Sequence, residues 1–252
     1  MDKDKHNNEI NKIAALIKKS DGFYALTGAG ISTESGLPDF RSPGTGIWEK
    51  VDPMKTSSAQ VLENNPKLFF EAGFQRFMTL QNAQPNQGHY VLAKMEKMKL
   101  LKGLVTQNID GLHYKAGSRK IWEVHGHLRT GHCMNCKYSY PFDFMSKQLM
   151  QGNNPPLCKK CQGIVRPDVV LFGDPMGEDF FEAEKTLARK CDLLMVIGSS
   201  LTVYPVASLP YYVSNLIIIN AQPTPMDEKA QVVIRDKSSH VLSKILEAIE
   251  AQ

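Results

Sequence analysis

No run of eighteen apolar residues occurs in the chain, so nothing in it reads as a membrane-spanning helix. The opening Met1-Asp2-Lys3-Asp4-Lys5 is charged and lacks an apolar stretch behind it, which argues against a secretory signal. Cysteine is scarce, five in 252 residues, and four of the five fall in two Cys-x-x-Cys pairs. That is no disulfide framework; it suggests metal held by reduced thiols in the cytoplasm. Charge of one sign is nowhere concentrated. The formal net charge is +4, with no basic stripe, and no nucleic-acid partner is expected. Internal repeats and low-complexity tracts are absent, which excludes a repeat array.

What is present alternates between short apolar strands and helical patterns. Ile10, Ile13, Ala14 and Ile17 recur at helical spacing, predicting a helix over 8–19 with Asn8 as its cap. Strands are expected over 22–27, 103–106, 121–125, 166–174, 192–200, 216–220 and 231–234, and a last helix over 240–251. Between 52 and 98 the pattern is helical. There Leu68, Phe69, Phe70, Phe74 and Phe77 cluster, the phenylalanines as core in preference to the lining of an apolar channel, and His89 sits at a helix start as a cap or core residue. Uninterrupted apolar strands separated by helices predict an α/β fold, a Rossmann-like parallel sheet covered on both faces.

Three stretches carry polar chemistry at strand ends. The first strand runs into Gly28-Ala29-Gly30-Ile31-Ser32, where a Gly-x-Gly turn lets backbone N–H groups approach a phosphate. The usual dinucleotide fingerprint is broken: Thr33 stands where a third glycine belongs, and a Gly- and Pro-rich loop follows from Ser35 to Gly46. That loop carries Phe40 and Arg41, suited to closing over a ligand. The second stretch, Thr106-Gln107-Asn108-Ile109-Asp110-Gly111-Leu112-His113, gathers an amide and a carboxylate at a tight turn after a buried strand. The third is Val124-His125-Gly126, where histidine offers a proton acceptor near neutrality.

Cys133-x-x-Cys136 and Cys158-x-x-Cys161 lie 21 residues apart. Each pair spans one edge of a tetrahedron, and together they complete a closed four-thiolate zinc shell, structural rather than catalytic. It would brace a lobe over 127–165 that has few apolar residues of its own. His132 competes weakly as a ligand, and Cys191 reads as a buried core thiol.

Taken in order, these segments resemble the sirtuin family of NAD-dependent protein deacylases, of the bacterial type. The likeness runs from about residue 8 to 250, through Gly28–Ser32, Asp39-Phe40-Arg41, Thr106–His113, Val124–Gly126, both cysteine pairs, Arg166-Pro167 to Gly173, Gly198-Ser199-Ser200 and Asn220. The resemblance implies a large Rossmann-like domain from residues 1–39, 91–126 and 166–252. It adds a cofactor loop with a helical module over 40–90, and a zinc lobe over 127–165. NAD, as co-substrate, and an acylated lysine of a protein or peptide would meet in the cleft between them. Gly28, Ala29, Gly30, Thr33, Asp39 and Arg41 would face the phosphates and their ribose, and Phe40 would shield the reacting sugar carbon. Gln107, Asn108, Ile109 and Asp110 would hold the nicotinamide half, with Asp110 on the carboxamide. Gly198, Ser199, Ser200, Asn220, Ala221 and Lys237 would take the adenosine half. Val169, Leu171, Phe172 and Gly173 would clasp the peptide against Val203 and Tyr204. His125 would accept a ribose hydroxyl proton, so that free lysine, nicotinamide and O-acyl-ADP-ribose leave.

Two residues depart from the family pattern. Asp174 replaces a glutamate often found after the Phe-Gly pair. The Tyr-x-x-Arg pair of members specialised for acidic acyl groups is missing, with Phe74 and Arg76 at the wrong spacing. The expected substrates are therefore apolar acyl groups, acetyl foremost. Mono-ADP-ribosyl transfer or NAD hydrolysis in the same cleft is the rival activity. A zinc-ribbon module for nucleic acid finds too few clustered lysines, and an ordinary dehydrogenase is disfavoured at Thr33. No exposed heptad suggests an oligomer, and a monomer is favoured.

Overall fold

A computed structural model describes residues 2–39 and 52–251. Six strands form one wholly parallel sheet: β1 (Phe23–Thr27), β2 (Leu101–Thr106), β3 (Ile121–Glu123), β7 (Leu193–Ile197), β8 (Asn215–Ile219) and β9 (Val232–Ile234). Their spatial order is β3-β2-β1-β7-β8-β9. The order therefore reverses between β1 and β7, which leaves a crevice beyond the carboxyl ends of those two strands.

Strand alternation builds both faces. Phe23 and Ala25, Leu193, Met195 and Ile197, and Ile217 and Ile219 point one way. They meet the helices Asp2–Lys19, Gln87–Lys97 and Ser238–Glu250 through Ile13, Ile17, Leu92, Met95, Val241 and Ile245. Tyr24, Leu26, Leu194, Val196, Leu216 and Ile218 point the other way, onto the helix Glu178–Lys190 through Phe180, Ala183 and Leu187. Each such side chain contributes roughly 1.5–3 kcal/mol by leaving water. The expected three-layer α/β architecture is the one observed.

Details differ from expectation for identifiable reasons. The first helix begins at Asp2, so Asn8 lies inside it rather than at its cap. The helix Glu178–Lys190 has no counterpart in the sequence reading. Its apolar residues are few, and Phe181 faces outward beside the buried Phe180. Leu68 and Met98 are exposed although they continue the apolar pattern of their helices. The segment after Val169 leaves strand geometry, because Phe172 bridges to Ser58 of the helical module instead.

The second sheet is antiparallel, with order β5-β4-β6: β4 is Gly126–Cys133, β5 is Ser139–Pro141 and β6 is Val165–Val169. Cys133 ends β4, and Cys136, Cys158 and Cys161 lie in the turns that connect these strands. The lobe is expected from its own residues to be short of apolar support, and it is not. Leu128, Tyr140, Phe142, Met145 and Val165 form one core with Leu62, Phe69, Phe70 and Phe77 from the helical module. Two insertions far apart in sequence thus make a single small body. The helix Gln87–Lys97 straddles residue 90, where the sequence reading divides that module from the large domain. Its Val91, Leu92 and Met95 all pack on the large sheet.

The shared core yields a test. Phe70 is fully buried and meets the Phe69 ring edge-on at 5.1 Å. Phe70→Ala should destabilise the protein by about 3–5 kcal/mol. Because the core is common, zinc should be lost in the same unfolding transition, read by tryptophan fluorescence alongside a zinc-sensitive dye.

A crevice at the strand-order reversal

The crevice is closed at its base by backbone meeting backbone. Gly28 N donates to Ile197 O (3.1 Å) and Gly30 N to Gly198 O (2.8 Å). Gly198 itself has φ +62°, and a Cβ there would stand 2.3 Å from Ile31 N. No other residue type permits that approach. Gly28 precedes a 3₁₀ helix, Ala29–Ser35, rather than a long α-helix, which accounts for the broken glycine fingerprint.

Behind this base lies a buried polar layer. Thr27 and Thr106, side by side on β1 and β2, join hydroxyls at 2.8 Å, and Thr27 reaches His113 Nε2 at 3.0 Å. Asn108 Nδ2 donates to Gly28 O (3.1 Å) and Ser32 Oγ (3.2 Å), while Ser32 Oγ donates to Asp110 Oδ2 (2.8 Å). Asp110 Oδ1 accepts from Leu112 N (2.9 Å). Burial raises the Asp110 pKa, against the opposing pull of the Leu112 N–H and Ser32 hydroxyl. His89 lies beneath, its Nδ1 accepting from Asn86 N (3.3 Å) in a capping box. It is the cap and core histidine expected. Burial pushes its pKa down to about 4. Burial, and then the neighbouring His89, take His113 well below its usual value.

His125 is expected to end a strand; instead it stands in the tight turn between β3 and β4, two residues past the end of β3 at Glu123. Gly126 (φ +73°) reverses the chain where a Cβ would meet Asp168 O at 2.2 Å. Val170 N donates to His125 O at 2.9 Å, tying this turn to the segment after β6. The ring's Nδ1 lies 3.1 Å from Gln107 O. A carbonyl can only accept, so Nδ1 carries the proton and Nε2 is the basic nitrogen of the neutral ring. Gln107 also fixes the two strand ends, its Nε2 donating to Ser199 Oγ (2.8 Å).

A cavity of about 770 Å³ opens over these groups, within the range of ligand sites. Its wall includes Gly28, Ala29, Gly30, Thr33, Asp39, Gln107, Asn108, Ile109 and His125 on one side of the reversal. Gly198, Ser199, Ser200, Val203, Tyr204, Asn220, Ala221 and Lys237 lie on the other, with Val169, Leu171, Phe172 and Gly173 at the small sheet. Asp110 is the exception: it does not line the cavity, and its carboxylate serves Ser32 and Leu112. Phe40 and Arg41 lie outside the described residues.

Sequence reasoning did not single out Ser32 as the hub of the polar layer, although it ends the Gly-Ala-Gly-Ile-Ser segment. It preferred core to a channel lining for Phe69 and Phe77, which are both buried and on the wall, and it missed Leu80 and Arg76, whose spacing had set it aside. Arg76 Nη2 donates to Ser57 Oγ (3.1 Å), and its guanidinium lies 5.6 Å from the Phe77 ring centre. Asp174 pairs with Arg166 (2.5 Å) and accepts from Leu171 N (2.9 Å). Burial disfavours its charge, yet Arg166 and Leu171 outweigh burial and hold its pKa below the ordinary carboxylate value.

The cysteines converge as expected. All four sulfurs lie within 4.8 Å of one another, with Cys133–Cys161 at 3.4 Å and Cys136–Cys158 at 3.6 Å. A tetrahedral ion with Zn–S bonds of about 2.3 Å sets its sulfurs about 3.8 Å apart, so the tetrad fits zinc. His132 is engaged elsewhere, with Nδ1 2.6 Å from Asp168 Oδ1. Cys191 is buried in the large core, which pushes its thiol pKa up to about 12.

A parallel sheet with a crevice at its reversal point, a glycine turn beneath it and a thiolate tetrad bracing the neighbouring lobe define the class. This is a dinucleotide-type α/β protein with a structural zinc ribbon. The chain belongs to the Sir2 family, whose sequence profile matches residues 28–205. It is 51% identical to an NAD-dependent protein deacetylase 2 of Caldanaerobacter subterraneus subsp. tengcongensis over 244 residues, 97% of each chain. It is 45% identical to an NAD-dependent protein deacetylase of Caldivirga maquilingensis, covering 95% of this chain and 93% of that one. It superimposes with a TM-score of 0.89 and 34% identity on a Sir2 structure with a deacetylated p53 peptide and 3'-O-acetyl-ADP-ribose, covering 94% of this chain and 96% of that one. No helix among the described residues is long and apolar enough to cross a membrane.

The buried imidazoles give a pH test. A histidine whose folded pKa is depressed stabilises the fold above its unfolded value and loses that contribution as pH falls. For His89 the window runs from 6.5 down to about 4, worth roughly 3 kcal/mol in all. His89→Asn should flatten the fall of urea-unfolding free energy across that window relative to the wild type.

Proposed function

We propose that this chain is an NAD-dependent protein-lysine deacetylase that releases nicotinamide and O-acyl-ADP-ribose. The observation that carries the reading is the His125 ring, fixed by Gln107 O with its basic Nε2, on the wall of the cavity that Asn108 also lines. The cavity's size, the glycine turn at the sheet reversal and the mixed polar and apolar wall fit NAD with an acyl-lysine side chain. NAD, when bound, supplies a glycosidic bond whose cleavage expels nicotinamide and leaves positive charge developing on the ribose.

The chain's own groups then divide the work. Both N–H groups of the Asn108 amide are spent on Gly28 O and Ser32 Oγ. What the amide offers a ligand is therefore its oxygen, an acceptor for a ribose hydroxyl. His125 Nε2 takes the proton from a ribose hydroxyl and so makes that oxygen nucleophilic. Gly28, Ala29, Gly30, Thr33 and Asp39 hold the phosphates and ribose together with Arg41, and Phe40 covers the sugar carbon. Gln107, Ile109 and Asp110 serve the nicotinamide end, Asp110 through its grip on Ser32 until a carboxamide N–H offers itself. Gly198, Ser199, Ser200, Asn220, Ala221 and Lys237 take the adenosine. Val169 to Gly173 and Val203-Tyr204 receive the peptide as an added strand.

Acetyl and other apolar acyl groups suit Phe69, Phe77, Leu80 and Ile109 on the wall. Arg76 is turned to Ser57 and Phe77, and on this reading it recruits no acidic acyl group. Every described residue of the cavity wall comes from this one chain, and on this reading a monomer is favoured. Four zinc-bound thiolates suit a reducing compartment such as the cytoplasm.

His125→Ala should lower the deacetylation rate by on the order of 10²–10⁴ while NAD still binds. The check is single-turnover kinetics beside calorimetric titration with NAD; an unimpaired rate would remove His125 from the reaction. Mass spectrometry of products from acetyl- and succinyl-lysine peptides should find O-acetyl-ADP-ribose, formed faster than the succinyl product. An ADP-ribosylated protein in its place would favour the transfer activity.

A further inference from the structure

Outside the cysteine tetrad, the described residues bring together one other set of metal-binding side chains. His6 of the first helix, Asp236 of the loop after β9, and His240 in the first turn of the last helix place their ligand atoms within 4.8 Å of one another. Packing of the helix Asp2–Lys19 against Ser238–Glu250 brings residue 6 to this loop although 230 positions separate it from Asp236. The two imidazoles stack, centroids 6.3 Å apart and planes inclined at 28°. His6 Nε2 stands 3.7 Å from Asp236 Oδ2, beyond hydrogen-bond reach. That nitrogen is buried, and among the described residues it has no hydrogen-bond partner. Asp236 Oδ1 is already taken by Lys237 N at 2.7 Å, which steadies the carboxylate with Oδ2 toward His6.

A buried ring nitrogen with no partner, facing a carboxylate oxygen just out of reach, is the arrangement an ion would complete. Tetrahedral zinc with nitrogen and oxygen ligands at about 2.0–2.1 Å sets them about 3.4 Å apart, close to the 3.7 Å found here. Exposed His240 has the freedom to close the remaining gap. We propose that His6, Asp236 and His240 form a second metal site, for Zn²⁺ or another borderline transition ion, with water in the fourth position. Two imidazoles and one carboxylate select such ions over Mg²⁺ or Ca²⁺, which prefer oxygen. The ion pins the first helix to the start of the last. It does so at a loop whose Asp236 and Lys237 also form the far wall of the cavity.

The test is calorimetric titration of Zn²⁺ into purified full-length protein that already carries one tetrad zinc per chain, measured by elemental analysis. The wild type should bind one further equivalent, and its thermal midpoint should rise with added Zn²⁺. His6→Ala and His240→Ala should each weaken this second binding at least tenfold and abolish the rise, while retaining the tetrad zinc and the metal-free midpoint. A wild type that stops at one zinc per chain would overturn the site. So would variants that bind the second equivalent unchanged, or Mg²⁺ competing at the concentration of Zn²⁺.

Discussion

Two backbone segments touch at the carboxyl ends of β1 and β7, and the functional half of the molecule hangs from that contact. Gly30 N reaches Gly198 O at 2.8 Å, and neither segment has a side chain in the way. The contact holds the Gly28–Ser32 turn and the Gly198–Ser200 turn at fixed separation across the point where strand order reverses. It also sets Gly28 O where the Asn108 amide must donate to it, and so decides which end of that amide faces the cavity. A side chain at residue 198 would open the crevice from below.

The polar layer under the crevice extends the same constraint. Thr27, Thr106, His113, His89, Ser32 and Asp110 are all buried. Polar groups taken from water must find partners, and most of these find one another. A layer of this kind has few alternative arrangements, so it holds Asn108 and the Gln107 carbonyl rigidly. That carbonyl in turn selects the tautomer of the His125 ring. The orientation of one half-buried imidazole is thus tied to a chain of bonds that begins in the core.

The small body acts from the other side. Its core is built jointly by the helical module and the cysteine lobe, so zinc is a brace on an apolar core rather than a replacement for one. From this body β6 runs out to Val169, and Val170 N holds His125 O. The turn that carries His125 is therefore held from the small body as well as from β3 of the large sheet.

Much of this was legible in one dimension. The β1, β7 and β8 strands are runs of apolar residues, and their burial follows from hydrophobicity alone. The cysteine spacing names its metal because two thiolates three residues apart span one edge of a tetrahedron. The ordered segments from Gly28 to Asn220 named the family. Other features were hidden because they depend on neighbours distant in sequence. Ser32 looks like any serine until Asp110 and Asn108 arrive beside it. Asp110 shows no tie to Ser32 and Leu112 until the fold brings their donors to its two oxygens. The helix Glu178–Lys190 packs with only a few inward residues, too few for periodicity to reveal. What the sequence determined by itself was local: which strands are buried, which thiols chelate, and which turns need glycine. Only the tertiary structure decided which polar groups share a cavity, which are spent on one another and which face His6. Those outcomes turn on hydrogen-bond partners brought together across as many as 230 residues, and such partners have no signature in local spacing.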